Sequence, residues 1–357
     1  MSPKRVLVTG ATGFIGKQLV SGLVAKGHQV TCLARPTSKI AEIQNMGCSI
    51  VLGDTVQNTG DFRKAISQSD VVYHLAASTC AVPASDLLRT NPQGLQNVME
   101  ACATCTSPPT LVFVSSLAAV GPSFDDVAHE EAVSGNPVSY YGRSKAESEA
   151  LATSFSGKVP ISIIRPPIVF GPGDHAGFEL FRLIDKFGCH FVPGFSERFF
   201  SVLHVEDLTD AMMSVADKGK RLLDGETGQG IYFVAADEKI TYSTFGKLIG
   251  NALGRSRTRI IPVARPALWT AAAINEIKAR MTSKPETLNL DKYREAFAGS
   301  WLCSNSKIKD ELDFAPAFGL ADRLRQTVDW YRRNDWLKNR PVVASPQLGG
   351  TKISLRR

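Results

Sequence analysis

The first half of the chain repeats one pattern: a short, nearly unbroken apolar run, then a longer stretch whose apolar residues recur at helical spacing. The runs are "RVLVTG" (5–10), "HQVTCLA" (28–34), "CSIVLGD" (48–54), "DVVYHLA" (70–76), "TLVFVSS" (110–116) and "VPISIIR" (159–165). They are rich in β-branched residues and hardly alternate, which is how strands buried on both faces read. Between the first two, "GFIGKQLVSGLVAKG" (13–27) spaces Phe14, Ile15, Leu19, Leu23 and Val24 as a helix does and stops on glycine. Alternating strand and helix predict an α/β fold, a Rossmann-type doubly wound parallel sheet with helices on both sides.

After Arg165 the rhythm breaks at the Pro/Gly-rich "PPIVFGPGD" (166–174). Helices are expected at 176–187, at 205–217 and from about 243, with a strand at "GIYFVA" (230–235) and a mainly helical stretch over 264–336. The expected organisation is an α/β domain over 1–165, with a segment returning to it near 203–236. A smaller, mainly helical C-terminal substrate lobe takes 166–202 and 237–339, and a basic tail over 340–357 is expected to be disordered.

Composition changes this picture little. Apolar residues make up 43% and charged residues 21%, as in ordinary soluble proteins. The formal charge is +7, but Arg340, Lys352, Arg356 and Arg357 stand in an acid-free tail. No basic stripe interleaved with aromatics is present, so nucleic acid is not an expected partner. The seven cysteines are scattered, and Cys102 and Cys105 form a C-x-x-C with no second pair and no nearby His. They read as small apolar helix residues, and no metal is expected. Free thiols and the lack of a visible signal peptide point to the cytoplasm. The stretch "PALWTAAAINEIKARM" (266–281) is interrupted by charge. It reads as a helix over a substrate cleft, and membrane contact is not expected.

Chemistry enters with "VTGATGFIG", where Gly10, Gly13 and Gly16 stand between a strand and a helix. Glycine permits the tight turn and lets backbone N–H groups approach a pyrophosphate, while the helix N-terminus favours its charge. An acid at the end of the second strand would bind the ribose 2′-hydroxyl of NAD; here Ala34 stands there, followed by Arg35. A guanidinium without a neighbouring carboxylate suits a 2′-phosphate, so NADP is expected, with NAD the second choice. In "NPVSYYGRSKAESEALATSF", Asn136 and Pro137 supply a helix start signal. Residues four apart on a helix are offset by roughly 40°, residues five apart by about 140°. Tyr141 and Lys145 therefore share a face and Tyr140 does not. An ammonium beside a phenol lowers its pKa from about 10 and makes it a usable acid–base group.

The spacing T-G-x-x-G-x-x-G resembles the extended short-chain dehydrogenase/reductase family, within the NAD-dependent epimerase/dehydratase superfamily. "LGD" (52–54), "HLAA" (74–77), "NPQGLQNVMEA" (91–101), "FVSSLAAVG" (113–121), Y-x-x-x-K at 141–145, "RPPIVFGPGD" (165–174) and "LHVEDL" (203–208) follow in the family's order, over roughly residues 4 to 336. The resemblance implies that Gly10, Thr12, Gly13, Phe14, Ile15 and Gly16 hold the dinucleotide, with Arg35 and with Asp54 at the adenine. It also implies that Ala76, Ala77, Pro166 and Val169 complete the cofactor site and that Lys145 holds the nicotinamide ribose. Ser116 would bond the substrate oxygen and Tyr141 would exchange the proton. Tyr140 would pack or line the pocket. His74 and His204 fall inside family signatures and read as structural; His28, His129, His175 and His190 show no metal spacing.

Within the family, dehydratases carry an Asp–Glu pair after the catalytic Ser or Thr; here Leu117 and Ala118 follow. Sugar-nucleotide epimerases hold an Arg where this chain has Phe200, although Arg198 is close. "LARPTS" (33–38) and "GSWLCSNSKIKDELDFAP" (299–316) resemble the 3β-hydroxysteroid dehydrogenase and dihydroflavonol reductase branch. That implies an oxidoreductase for an apolar ketone or secondary alcohol, cyclic ones included, with Trp269 and Trp301 as pocket candidates. The alternatives are an NAD-retaining sugar-nucleotide epimerase and, of another class, a non-catalytic NADP sensor or scaffold. Dimer packing through two helices is common in the family, so a homodimer is an implied state.

Overall fold

The apolar runs pair into strands and the periodic stretches between them become helices. The computed structural model describes residues 2–57, 60–284, 286 and 288–338; the tail from 340 lies outside them. In chain order come β1 (Arg5–Thr9), α1 (Phe14–Ala25), β2 (Gln29–Ala34), α2 (Ala41–Asn45), β3 (Ser49–Leu52), α3 (Gly60–Ser67), β4 (Val71–His74), α4 (Leu87–Ala103), β5 (Thr110–Val114), α5 (Tyr140–Ser154) and β6 (Ile161–Arg165). After the break follow β7 (Ile168–Phe170), α6 (His175–Phe187), β8 (Cys189–Pro193), β9 (Phe199–Phe200), β10 (Val202–His204), α7 (Val205–Lys218), β11 (Ile231–Phe233), β12 (Ile240–Thr241), α8 (Tyr242–Ala252) and β13 (Arg259–Val263). Four helices close the described chain: α9 (Arg265–Thr282), α10 (Leu290–Phe297), α11 (Ser306–Leu312) and α12 (Leu320–Arg333).

Seven strands form one sheet in the order β3-β2-β1-β4-β5-β6-β11, every neighbour parallel. Both faces are covered, as the unalternated runs require. Leu19, Val20 and Leu23 of α1 pack with Leu208, Met212 and Val215 of α7 on one side. Phe62 and Ile66 of α3 pack with Leu95, Val98 and Met99 of α4 on the other. The strand order reverses between β1 and β4, and in such sheets the ligand crevice opens at the carboxyl ends beside that reversal.

The other elements surround a second core, with Phe170, Phe181, Phe245, Ile249, Leu324 and Tyr331 buried in it. Three short strand pairs, β7 with β10, β8 with β13 and β9 with β12, brace it. These strands run only two to five residues, too short to stand out in sequence, which is why the lobe reads as mainly helical.

Two expectations change. Helix α5 starts at Tyr140 and not at Asn136: Ser139 is extended and its side chain accepts from the Gly142 N–H, a better cap than the Asn–Pro signal upstream. Helix α9 does not lie broadly over the cleft. Its Trp269, Ile274, Ile277 and Met281 are exposed, and Leu268 alone of this helix lines the cleft. Among the described residues no helix is long and apolar enough to cross a membrane.

Candidate active site

A cleft of about 1870 Å³ opens at the carboxyl ends of β1, β4, β5 and β6. Its floor is the glycine turn. Gly10 has φ +72°, and a Cβ there would stand 2.8 Å from the Ala76 nitrogen. A Cβ on Gly16 would come within 2.2 Å of the Gly10 carbonyl oxygen, so both positions demand glycine. Helix α1 begins after Gly13 with no side-chain cap and no acid in its first turn. Its first N–H groups therefore face the cleft free for an anion, and the loop fits a dinucleotide diphosphate. Thr9 and His74 brace the turn from beneath. The Thr9 hydroxyl shares a 2.8 Å hydrogen bond with His74 Nδ1 and accepts from the Ala76 N–H at 3.2 Å. Burial, reinforced by the charge of Lys145, pushes the His74 pKa down to about 3, so this histidine is a neutral strut.

Ser116, Tyr141 and Lys145 share the cleft with that loop. Ser116 follows β5 in extended conformation, and its Oγ accepts from the Ala118 N–H at 3.1 Å. Tyr141 and Lys145 lie one turn apart on α5. Lys145 is buried, donates to the Val114 carbonyl at 2.8 Å and stands 4.9 Å above the Phe113 ring. One turn further, buried Glu149 is clasped by Arg165 through its Nε and Nη2 and accepts from Ser115 Oγ. This network fixes α5 to the ends of β5 and β6.

A contribution that the sequence did not announce comes from α10. Buried Asp291 accepts from the N–H of Tyr140 at 2.9 Å and of Tyr141 at 3.3 Å, so a residue 150 positions away completes the N-terminus of α5. Lys292 lies 5.4 Å from the centre of the Tyr141 ring and bonds Glu295 at 2.7 Å. All that marks this stretch in sequence is the charged "LDKYREAF", which has the look of a solvated helix face.

The electrostatics correct one expectation. Burial raises the Tyr141 pKa; Lys292, then a hydrogen bond with Ser116, pulls it back. Burial lowers that of Lys145 to about 8, with Glu149 opposing. The cation acting on the Tyr141 phenol is thus Lys292. For Lys292 burial works against the charge, but Glu295, Tyr141 and Asp291 outweigh it and the pKa is raised.

The cleft gathers most of the residues singled out in sequence. Gly10, Thr12, Gly13, Phe14, Ile15, Gly16, Arg35, Ala77, Pro166 and Val169 line it, and so does Trp301. Three others do not. Asp54 lies outside the cleft lining and accepts through its Oδ1 from the N–H of Val56 and Gln57 at 2.7 and 3.1 Å. Ala76 packs beneath Gly10, and Trp269 faces outward. Tyr140 packs between the guanidinium groups of Arg143 and Arg294, each 5.8 Å from its ring centre. Leu117 and Ala118 line the cleft where a dehydratase carries acids. His204 caps α7 by accepting from the Glu206 N–H.

Comparison with known proteins agrees with this geometry. The profile of the NAD dependent epimerase/dehydratase family matches residues 6–232. A ceramide reductase of Caulobacter vibrioides is 27% identical over 95% of this chain and 98% of its own length. A putative dihydroflavonol 4-reductase of Synechocystis is 26% identical over 93% and 95%. Among solved structures, the dTDP-glucose 4,6-dehydratase of Bacillus anthracis in complex with NAD superposes with a TM-score of 0.71 at 21% identity, over 93% of this chain and 97% of that one. The chain belongs to the NAD dependent epimerase/dehydratase family, the extended short-chain dehydrogenase/reductases, whose members are enzymes working with a nicotinamide cofactor.

Proposed function

We propose that the protein is an NADP-dependent oxidoreductase that interconverts an apolar ketone and its secondary alcohol, with Ser116, Tyr141 and Lys145 as the catalytic set. The observation that carries the reading is that these three side chains open into the same cleft as the glycine turn. In this reading the turn from Gly10 to Gly16 holds the diphosphate, and Arg35, with Lys39 beside it on the cleft wall, takes the 2′-phosphate. Lys145 would hold the nicotinamide ribose. The nicotinamide, when bound, supplies or accepts hydride. Ser116 donates to the substrate oxygen and Tyr141 delivers its proton in reduction, or removes it in oxidation. Phe191, Phe199, Phe200, Leu268, Leu288 and Trp301 give the substrate end apolar walls. The test is NADPH consumption, followed by absorbance, across a panel of apolar ketones. Turnover with NADPH well above NADH supports the reading; binding without turnover across the panel favours a sensor.

A second reading is sugar-nucleotide epimerisation on retained NAD. Its support is Arg198, which lines the cleft beside Arg265, with burial and that neighbouring charge lowering its pKa. Against it, Arg198 already donates to the Ala296 carbonyl and stacks on Phe297. Release of NAD on denaturation, with interconversion of a UDP-sugar, would favour this second reading.

A further inference from the structure

The wall formed by α10 holds a charged group that hydride transfer does not require. Helical spacing turns Asn289, Lys292 and Glu295 toward the cleft, while Asp291 points at α5. The Lys292 side chain is 41% exposed, and the space it faces is the cleft beside Tyr141. An ammonium carries three N–H donors, and Glu295 Oε2 takes one of them. The cleft beside it is lined by Phe199, Phe200 and Trp301, with Ser201, Glu286 and Asn289 as further acceptors. Glu295 sets the sign of what fits. At 2.7 Å it already neutralises Lys292, and its Oε1 is buried with no hydrogen-bond partner among the described residues. A carboxylate brought to Lys292 would meet that second negative charge, whereas a neutral oxygen accepts from Lys292 without it.

We propose that Lys292 is the specificity residue for a second, neutral oxygen of the substrate, a hydroxyl or carbonyl carried near the reacting carbon, and that Glu295 excludes anions there. The preferred substrate is then an oxygenated apolar ketone, neither a plain ketone nor a keto acid. This rests on the ketone reading given above and deepens it.

The test uses the protein saturated with oxidised cofactor, so that ketones bind without turning over. Isothermal titration compares a plain ketone, the same ketone bearing a hydroxyl at the α, β or γ position, and a keto acid of equal length. The readout is the ratio of affinities within one protein, which cancels any effect of Lys292 on Tyr141. The unmodified protein should favour at least one hydroxyketone over the plain ketone by about tenfold or more, as expected for a charged donor. Lys292→Met should collapse that ratio to near one, and Glu295→Gln should raise the keto acid relative to the hydroxyketone. Thermal melting and cofactor binding check that both variants fold. Equal affinity for plain and hydroxylated ketones, a preference that survives Lys292→Met, or a keto acid favoured by the unmodified protein would overturn the inference. Absence of binding by every ketone would instead overturn the ketone reading, and the inference with it.

Discussion

The sheet and the second core meet at the cleft, and they hold their contributions to it by different means. On the sheet side, the glycine turn, Ser116 and Lys145 sit at the ends of consecutive parallel strands or on the helix fixed to them. Their placement follows from buried apolar runs and from backbone bonding that repeats along the strands. On the other side, Asp291 and Lys292 reach the same chemistry through single polar contacts made across 150 residues of chain. One half of the site is built by continuity and the other by docking. Damage should therefore differ: the first half fails as a fold or a cofactor site, the second as a loss of alignment.

The largest effect should come from the sheet side. Gly16→Val drives a side chain into the Gly10 carbonyl, 2.2 Å from where its Cβ must stand. Overpacking of this kind costs about 1–3 kcal/mol of stability, and cofactor binding should vanish. Retained binding in a calorimetric titration would remove the glycine turn from the cofactor site. Next, Arg35→Ala should weaken NADPH by roughly ten- to hundredfold, the contribution of a charged hydrogen bond, and leave NADH nearly unaffected. Equal losses for both cofactors would contradict the 2′-phosphate assignment.

The docked half should respond more mildly. Asp291→Ala removes the acceptor for the Tyr140 and Tyr141 N–H groups, and losing a cap costs about 0.5–2 kcal/mol. Turnover should fall by about tenfold or more through misplacement of Tyr141, with cofactor affinity kept, and Asp291→Asn should recover part of it. Unchanged turnover at lowered stability would make Asp291 a purely structural cap.

At neutral pH the smallest effect comes from His204, and it shows only as a slope in acid. Burial, reinforced by Arg323, lowers the His204 pKa to about 3, against an ordinary value of 6.5. Between those values the unfolded chain binds a proton that the folded one refuses. Stability is therefore complete above pH 6.5 and falls as pH drops toward 3, by up to about 1.4 kcal/mol per pH unit. His204→Asn keeps an acceptor for the Glu206 N–H and removes its own titration, so acid melting curves should lose part of their slope, the rest coming from His74 and His190. An unchanged slope would show that His204 is not buried neutral.

The same contrast explains what was legible in the sequence. Strand burial shows as unalternated runs, the diphosphate turn as Gly10, Gly13 and Gly16, and the shared face of Tyr141 and Lys145 as a spacing of four. All of these are local. The start of α5 differs from the Asn–Pro signal because Ser139 and Asp291 together outcompete it, and Asp291 is invisible from that stretch. Asp54 matches a motif, and the structure adds that its Oδ1 accepts from its own turn. Trp269 is a pocket candidate in sequence because it is apolar, which says nothing of the direction it faces. Lys292 and Glu295 look like surface charges until α10 is seen lying against α5.

The central claim is that Tyr141, and not its neighbour, exchanges the proton. Turnover of a ketone substrate should be measured for Tyr141→Phe and Tyr140→Phe side by side, with cofactor affinity and melting temperature as controls. The account predicts a fall of about 10²–10⁴ in kcat for Tyr141→Phe, with folding and cofactor binding intact. Tyr140→Phe should stay close to the unmodified protein, because its ring packs between Arg143 and Arg294 and phenylalanine keeps that packing. Two folded, cofactor-bound variants with the larger loss in Tyr140→Phe, or with no loss in either, would contradict it.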